Sequence, residues 1–216
     1  MTENELFSHI DATLLKPYAT WEEIVEHCEK AMEFGVATVC IPPCYVRRVK
    51  QKYGRKLPIT TVVGFPFGYS VLEAKLEETK KAIEDGADEI DMVINLSDVK
   101  NKDYDKIMQE IVTLKLECNT KLLKVIVETC DLTKEEKKEL CRIVTDAGAD
   151  FIKTSTGFGK AGANLSDIDL FKEHLGAAVR IKAAGDIKSR EEMEKFLSAG
   201  CERIGVTLKG EWMKSL

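Results

Sequence analysis

Two lysines and an aspartate stand inside stretches that otherwise read as buried β-strand. They are Asp91 in Glu89-Ile90-Asp91-Met92-Val93-Ile94-Asn95, Lys153 in Phe151-Ile152-Lys153-Thr154, and Lys182 in Val179-Arg180-Ile181-Lys182-Ala183. Strand side chains alternate between faces, so Ile90, Met92 and Ile94 share one face while Asp91, Val93 and Asn95 share the other. If the apolar triplet meets a covering layer, Asp91 points inward, and the same alternation sends Phe151, Lys153, Arg180 and Lys182 inward with it. Lys124, Ile126 and Glu128 line that interior too if Leu123 to Glu128 is a strand. Charges are costly to bury unless paired. One reading is therefore a structural ion-pair network, and the other is a reactive site. The late position of Lys153 and Lys182 in their runs, towards the mouth of a parallel barrel, favours chemistry. Two ammonium groups on neighbouring strands disfavour each other's charge, and desolvation acts in the same direction. One lysine can then be neutral near pH 7 and nucleophilic, with an inward carboxylate passing protons through a water. These parts describe imine chemistry on a carbonyl compound.

Other chemistries are poorly supplied. There is no Ser/His/Asp set for acyl transfer, and the three histidines, His9, His27 and His174, have no metal-ligand spacing. The seven cysteines, Cys28, Cys40, Cys44, Cys118, Cys130, Cys141 and Cys201, are odd in number and form no CxxC. The expectation is reduced thiols in the cytoplasm, with no disulfide framework and no metal.

The elements that must position these residues alternate in type. Eight β-type runs are expected: Ser8 to Ala12, Thr38 to Ile41, Thr60 to Gly64, Glu89 to Asn95, Leu123 to Glu128, Phe151 to Thr154, Val179 to Ala183, and Arg203 to Val206. Their Val- and Ile-rich, nearly continuous apolar character fits strands covered on both faces. Between them, Thr20/Glu23, Ser70/Glu73, Thr133/Glu136 and Ser189/Glu192 match the capping box at a helix start. After the second of these, Leu72, Leu76, Thr79 and Ile83 form one apolar helix face. A weak repeat places glycine between helix and strand at Gly35, Gly86, Gly148 and Gly200, where a left-handed C′ residue is expected. No G-x-G-x-x-G follows an early strand, so eight βα units favour a closed (β/α)8 TIM barrel over a doubly wound sheet. The α/β fold is expected as a single domain over residues 1–216.

Bulk composition agrees. With 44% hydrophobic and 32% charged residues the chain reads as a soluble globular protein. A net charge of −5 gives no electrostatic grip on nucleic acid or an anionic membrane. No apolar run approaches a membrane span of roughly 18 residues, and the acidic start Met1-Thr2-Glu3-Asn4-Glu5 has no signal-peptide pattern.

Five segments together resemble the deoxyribose-phosphate aldolase family. They are Ile10-Asp11-Ala12-Thr13-Leu14-Leu15-Lys16-Pro17, Gly64-Phe65-Pro66-Phe67-Gly68, Glu89 to Asn95, Phe151-Ile152-Lys153-Thr154-Ser155-Thr156-Gly157-Phe158 and Ile181-Lys182-Ala183-Ala184-Gly185. The resemblance runs in order from about residue 8 to 206. It implies a class I aldolase that reversibly cleaves 2-deoxy-D-ribose 5-phosphate to acetaldehyde and D-glyceraldehyde 3-phosphate, in deoxyribose phosphate catabolism, without metal or organic cofactor. It further implies a cytoplasmic homodimer or homotetramer acting on small phosphosugars and aldehydes. Carried over by motif, Lys153 is the Schiff-base lysine, Lys182 the second lysine that depresses its pKa, and Asp91 the proton donor and acceptor. Asp11 and Cys40 match residues lining the substrate site, although a structural hydrogen bond and a small core side chain are equally good readings of the two. Thr154, Gly157, Gly185, Asp186, Gly205 and Thr207 complete the expected substrate-binding set.

Some positions depart from the family pattern. Gly185-Asp186 stands where two glycines usually offer N–H groups to a phosphate, and Val206-Thr207-Leu208-Lys209-Gly210 stands where a small-Ser-Ser-Gly run is usual. Leu208 has no side-chain donor. A carboxylate at Asp186 repels a phosphate unless it turns away or pairs with Lys188 or Lys160, and the helix start near Ser189 remains an anion site. Ala12 and Pro42 also replace commonly polar residues. An alternative is therefore a related Schiff-base aldolase with altered phosphate recognition, acting on another short aldehyde or sugar phosphate. A non-catalytic metabolite-binding barrel and a phosphosugar isomerase using Glu128 as base are the remaining readings.

Overall fold

The computed structural model describes residues 1–208. Its strands are β1 (Ile10–Thr13), β2 (Thr38–Ile41), β3 (Ile59–Val63), β4 (Glu89–Val93), β5 (Leu122–Ile126), β6 (Phe151–Lys153), β7 (Arg180–Ala184) and β8 (Arg203–Val206). All are parallel, pair in sequence order, and close through β1 and β8. The helices are α1 (Glu3–Phe7), α2 (Trp21–Phe34), α3 (Val46–Tyr53), α4 (Leu72–Glu84), α5 (Leu96–Asn101), α6 (Tyr104–Cys118), α7 (Lys134–Asp146), α8 (Leu165–His174) and α9 (Arg190–Ala199). This is the (β/α)8 barrel expected from the alternation of patterns.

The apolar core lies between sheet and helices. Ile90, Met92 and Ile94 pack there with Ile152, Ile181 and Ile204, so the opposite strand faces turn to the barrel axis. Burying this layer stabilises the fold by about 1.5–3 kcal/mol for each large aliphatic side chain. Strand registers fix the interior: Asp91 lies opposite Lys124 and Lys153 opposite Lys182.

Local signals mostly act as the residue types dictate. The boxes at Thr20/Glu23 and Thr133/Glu136 form, as does one at Thr2/Glu5 that the sequence reading missed. Ser189 caps α9, but the Glu192 carboxylate bonds the Lys188 N–H at 2.7 Å instead of closing the box. The pair Ser70/Glu73 forms no box: α4 starts one residue later, with Val71 at the cap position and no side-chain cap. Gly35 and Gly200 are left-handed helix caps, and Gly86 and Gly148 also have positive φ.

Helix α4 departs from its expected face. Lys75, Thr79 and Ala82 are its buried residues, with Leu76 and Ile83 half-buried beside them. Lys75 is fully buried because its Nζ finds two acceptors, the Val93 carbonyl at 2.8 Å and Glu110 Oε1 on α6 at 2.6 Å. Its stem packs under Gly64, where any Cβ would lie 2.7 Å from Lys75 Cε. A polar residue thus fastens the ends of β3 and β4 to α4 and α6, where the hydrophobic pattern alone pointed elsewhere. Residues Lys209 and Gly210, part of the departure noted in the sequence, lie outside the described residues, as does the segment from Gly210 to Leu216.

Candidate active site

The barrel interior carries a layered charge cluster. Asp91 is its hub. One carboxylate oxygen bonds Lys124 Nζ at 2.8 Å, and the other bonds Lys153 Nζ and Lys182 Nζ, each at 2.8 Å. Below it, Lys182 meets Asp11 at 2.5 Å and Lys124 meets Glu89 at 2.6 Å. Arg203 closes the floor against Asp11 at 2.6 Å and Glu89 at 3.0 Å. The ion-pair network and the reactive trio are therefore parts of one assembly. Arg203 and Glu89 were not singled out in the sequence. They begin β8 and β4, where a charged first residue reads as solvent-facing.

Geometry separates the lysines. Among the described residues Lys182 has two carboxylates in contact, whereas Lys153 has only Asp91, and it shares that oxygen with Lys182. Burial works against the charge of both. For Lys182 the Asp11 and Asp91 carboxylates outweigh burial and hold its pKa above the lysine range. For Lys153 burial wins: Asp91 opposes it, the Lys182 ammonium reinforces it, and the pKa falls below the ordinary lysine value. Lys124 goes the way of Lys182, raised against burial chiefly by Asp91. Asp91 and Asp11 are both resisted by burial but held well below the carboxylate range by the surrounding lysines. The cluster thus keeps Asp91 anionic and Lys182 cationic and leaves Lys153 as the lysine most readily neutral.

Lys153 is also the member that reaches open space. It lies on the wall of a cavity of about 850 Å³ at the C-terminal ends of the strands, with Thr156, Gly157, Gly185, Gly205 and Thr207. Gly157 and Gly185 have φ of 84° and 85°, a region that favours glycine. Asp186 lines the cavity as well, in a left-handed conformation at φ 59°. Its carboxylate accepts the Gly162 N–H at 2.9 Å and lies 3.5 Å from Lys188 Nζ, while Lys160 pairs with Asp131. Leu208 is buried in the apolar core rather than turned to the cavity. At the start of α9 the Glu191 and Glu192 carboxylates occupy the first turn, and Glu192 takes the Lys188 N–H, so this helix end is already supplied with negative charge.

Three expected substrate-binding residues are placed away from the cavity wall. Asp11 lies deep in the ion cluster. Cys40 is fully buried on the axial face of β2, and burial, aided by Asp91, pushes its thiol up to about 11. Thr154 faces the other way from Lys153: its hydroxyl accepts the Ala184 N–H at 3.1 Å and donates to the Ala184 carbonyl at 3.2 Å. The threonine of this segment that lines the cavity is Thr156, which was quoted in a motif but not selected as a site residue. Alternation sends Thr154 away from Lys153, as found, but β6 ends at Lys153, so the same count wrongly turns Thr156 away as well. Thr156 bonds Glu128, a buried acid in a left-handed conformation just beyond β5 (φ 52°). Burial raises the Glu128 carboxyl, with the Thr156 hydrogen bonds opposing. Among the described residues no group of three His, Cys, Asp or Glu side chains is arranged to hold a metal ion.

Comparisons with known proteins concern the whole of this architecture. The profile of the DeoC/LacD family aldolases matches residues 6–206. The deoxyribose-phosphate aldolase of Clostridium botulinum (strain Alaska E43 / Type E3) is 55% identical over 216 residues, covering 98% of each chain. Among solved structures, the aldolase QR15 superposes with a TM-score of 0.89 at 38% identity, covering 93% of this chain and 90% of its own. The deoxyribose phosphate aldolase of Aeropyrum pernix, described as a unique tetramer, gives 0.88 at 28% identity, covering 95% and 88%.

Proposed function

The chain belongs to the DeoC/LacD family of aldolases, and from that premise we propose that it is a deoxyribose-phosphate aldolase using Lys153 as its Schiff-base residue. The observation that carries the assignment of Lys153 is the asymmetry of the cluster: it is the lysine that both lines the cavity and has its pKa lowered. A neutral Nζ adds to the C1 aldehyde of 2-deoxy-D-ribose 5-phosphate, and loss of water gives an iminium ion. The C3 hydroxyl then loses its proton, the C2–C3 bond breaks, and its electron pair flows into the iminium as an enamine. D-Glyceraldehyde 3-phosphate leaves. Protonation of the enamine carbon and hydrolysis release acetaldehyde and restore the lysine.

The ionised Asp91, bonded to Lys153 and Lys182, accepts and returns protons through a water, and the Lys182 ammonium keeps Lys153 from holding its own proton. The glycine-rich rim at Gly157, Gly185 and Gly205, with Thr207 and Lys188, receives the phosphate end. Asp186 does not oppose this strongly, because its carboxylate is engaged by the Gly162 N–H and lies near Lys188. Cytoplasmic action in deoxyribose phosphate breakdown and a homodimeric or homotetrameric assembly belong to the same reading.

Borohydride reduction during turnover with acetaldehyde tests the mechanism. An N-ethyl group on the peptide containing Lys153 is the expected product. Full turnover by Lys153→Ala, or trapping at another lysine, overturns the assignment. Comparing kcat/KM for deoxyribose with and without its 5-phosphate tests the substrate: a negligible preference for the phosphate transfers the case to the alternative, an aldolase of other short aldehydes.

A further inference from the structure

Glu128 is a buried acid that the chemistry above leaves unused. The residue is only 4% exposed, and its backbone is held at φ 52°, ψ 66°, an unfavourable region for a residue with a Cβ. Three donors from Thr156 and Cys130 converge on it. The Thr156 N–H reaches both oxygens at 3.3 Å, the Thr156 hydroxyl donates to Oε2, and the Cys130 thiol lies 3.9 Å away. Gly159 packs against the same group, where an added Cβ would lie 3.0 Å from the Glu128 Cδ.

A hydroxyl has one proton and two lone pairs. The proton of Thr156 goes to Glu128, and one lone pair accepts the Phe158 N–H at 3.0 Å. What remains for a molecule in the cavity, which Thr156 lines beside Lys153, is a single lone pair. We propose that Glu128 is a positioning residue that fixes the Thr156 hydroxyl as a hydrogen-bond acceptor, so that the site selects aldehyde partners that donate a hydroxyl proton over those that offer only an acceptor. The inference rests on the aldolase reading, in which the aldehyde half carries one free hydroxyl, on the carbon next to its carbonyl. With its proton turned to the cavity instead, the same threonine would donate to carbonyl or ether oxygens as readily.

Condensation of acetaldehyde with two small aldehydes tests this. Lactaldehyde presents a donor at the carbon next to its carbonyl, and 2-oxopropanal presents only an acceptor there. The readout is the ratio of their kcat/KM values, compared between variants so that intrinsic reactivity cancels. In Glu128→Gln the side-chain amide can donate to Thr156 Oγ and turn its proton towards the cavity, and the ratio falls by about tenfold. Glu128→Met, which removes the acceptor, moves it in the same direction. Thr156→Val loses the preference as well, and Thr156→Ser retains it. A parent-like ratio in folded Glu128→Gln and Glu128→Met, or in folded Thr156→Val, overturns the proposal while leaving the aldolase reading intact. If the parent protein condenses acetaldehyde with D-glyceraldehyde 3-phosphate but with neither small aldehyde, the proposal alone is overturned; failure with all three aldehydes overturns the aldolase reading as well.

Discussion

Replacing Asp91 with asparagine keeps the shape of the hub and removes its charge. Lys124, Lys153 and Lys182 each lose an anion at 2.8 Å. Asp11 and Glu89 are then the carboxylates left facing those lysines and Arg203. At this separation a unit pair is worth about 6 kcal/mol at an effective dielectric constant near 20, before desolvation is subtracted. Breaking a buried pair from one side costs about 3–5 kcal/mol. For a domain of this size each kcal/mol lowers Tm by about 2–4 °C, so a fall of roughly 6–20 °C is expected near neutral pH. The pH dependence carries a sign. In the parent, Lys124 and Lys182 are raised, so their contribution is complete at neutral pH and is lost as pH climbs through those raised values. In the variant, burial acts on Lys153 without the opposing carboxylate. Its pKa falls further below the unfolded value, the unfolded state binds more protons, and stability rises with pH up to the ordinary lysine range. Thermal melts followed by circular dichroism from about pH 6 to about pH 10 should therefore show the gap between variant and parent narrowing. A variant that melts within about 2 °C of the parent, or a gap that stays constant across that range, refutes Asp91 as the counter-charge of the three lysines.

Three further outcomes follow from other parts of the site. Lys182→Met removes the ammonium that presses on Lys153, so the acid limb of imine formation should move to higher pH in single-turnover trapping; an unmoved limb would assign the depression to burial alone. Gly162→Ala sets a Cβ 2.2 Å from the Gly185 carbonyl group, and the overpacking should cost about 1–3 kcal/mol and lower Tm. Thr154→Val leaves the Ala184 N–H without its partner, which should cost about 1–3 kcal/mol in denaturant titration while kcat/KM stays within about twofold, because Thr154 faces away from the cavity.

The legible parts of the sequence were those governed by a single period or a single turn residue. Two-residue alternation placed Asp91, Lys153 and Lys182 on the axis because strong apolar neighbours, such as Ile90 and Met92, fixed the opposite face. The glycines between helix and strand were legible because the left-handed turn is a local demand. Three things were not legible. Lys75 looks like surface charge on any helical wheel, and its burial depends on meeting Glu110 and the Val93 carbonyl from distant elements. Glu89 and Arg203 look like strand ends in water until the closed register brings them together. Thr156 and Glu128 lie beyond the last regular residue of their strands, where periodicity no longer reports direction, and their partnership spans 28 positions of sequence.

The pair Lys75–Glu110 sets a rule for anyone redesigning this scaffold. Burial lowers the pKa of Lys75 and raises that of Glu110, and for each the other is the strongest influence opposing that loss of charge. The two positions behave as one heritable character: a change at either alone strands a charge in the core, whereas a matched apolar replacement of both exchanges an electrostatic rivet for a greasy one. A library that randomises them independently discards nearly all of its members, while one that varies them jointly samples new ways of clamping α4 and α6 behind the barrel mouth without touching a reacting group.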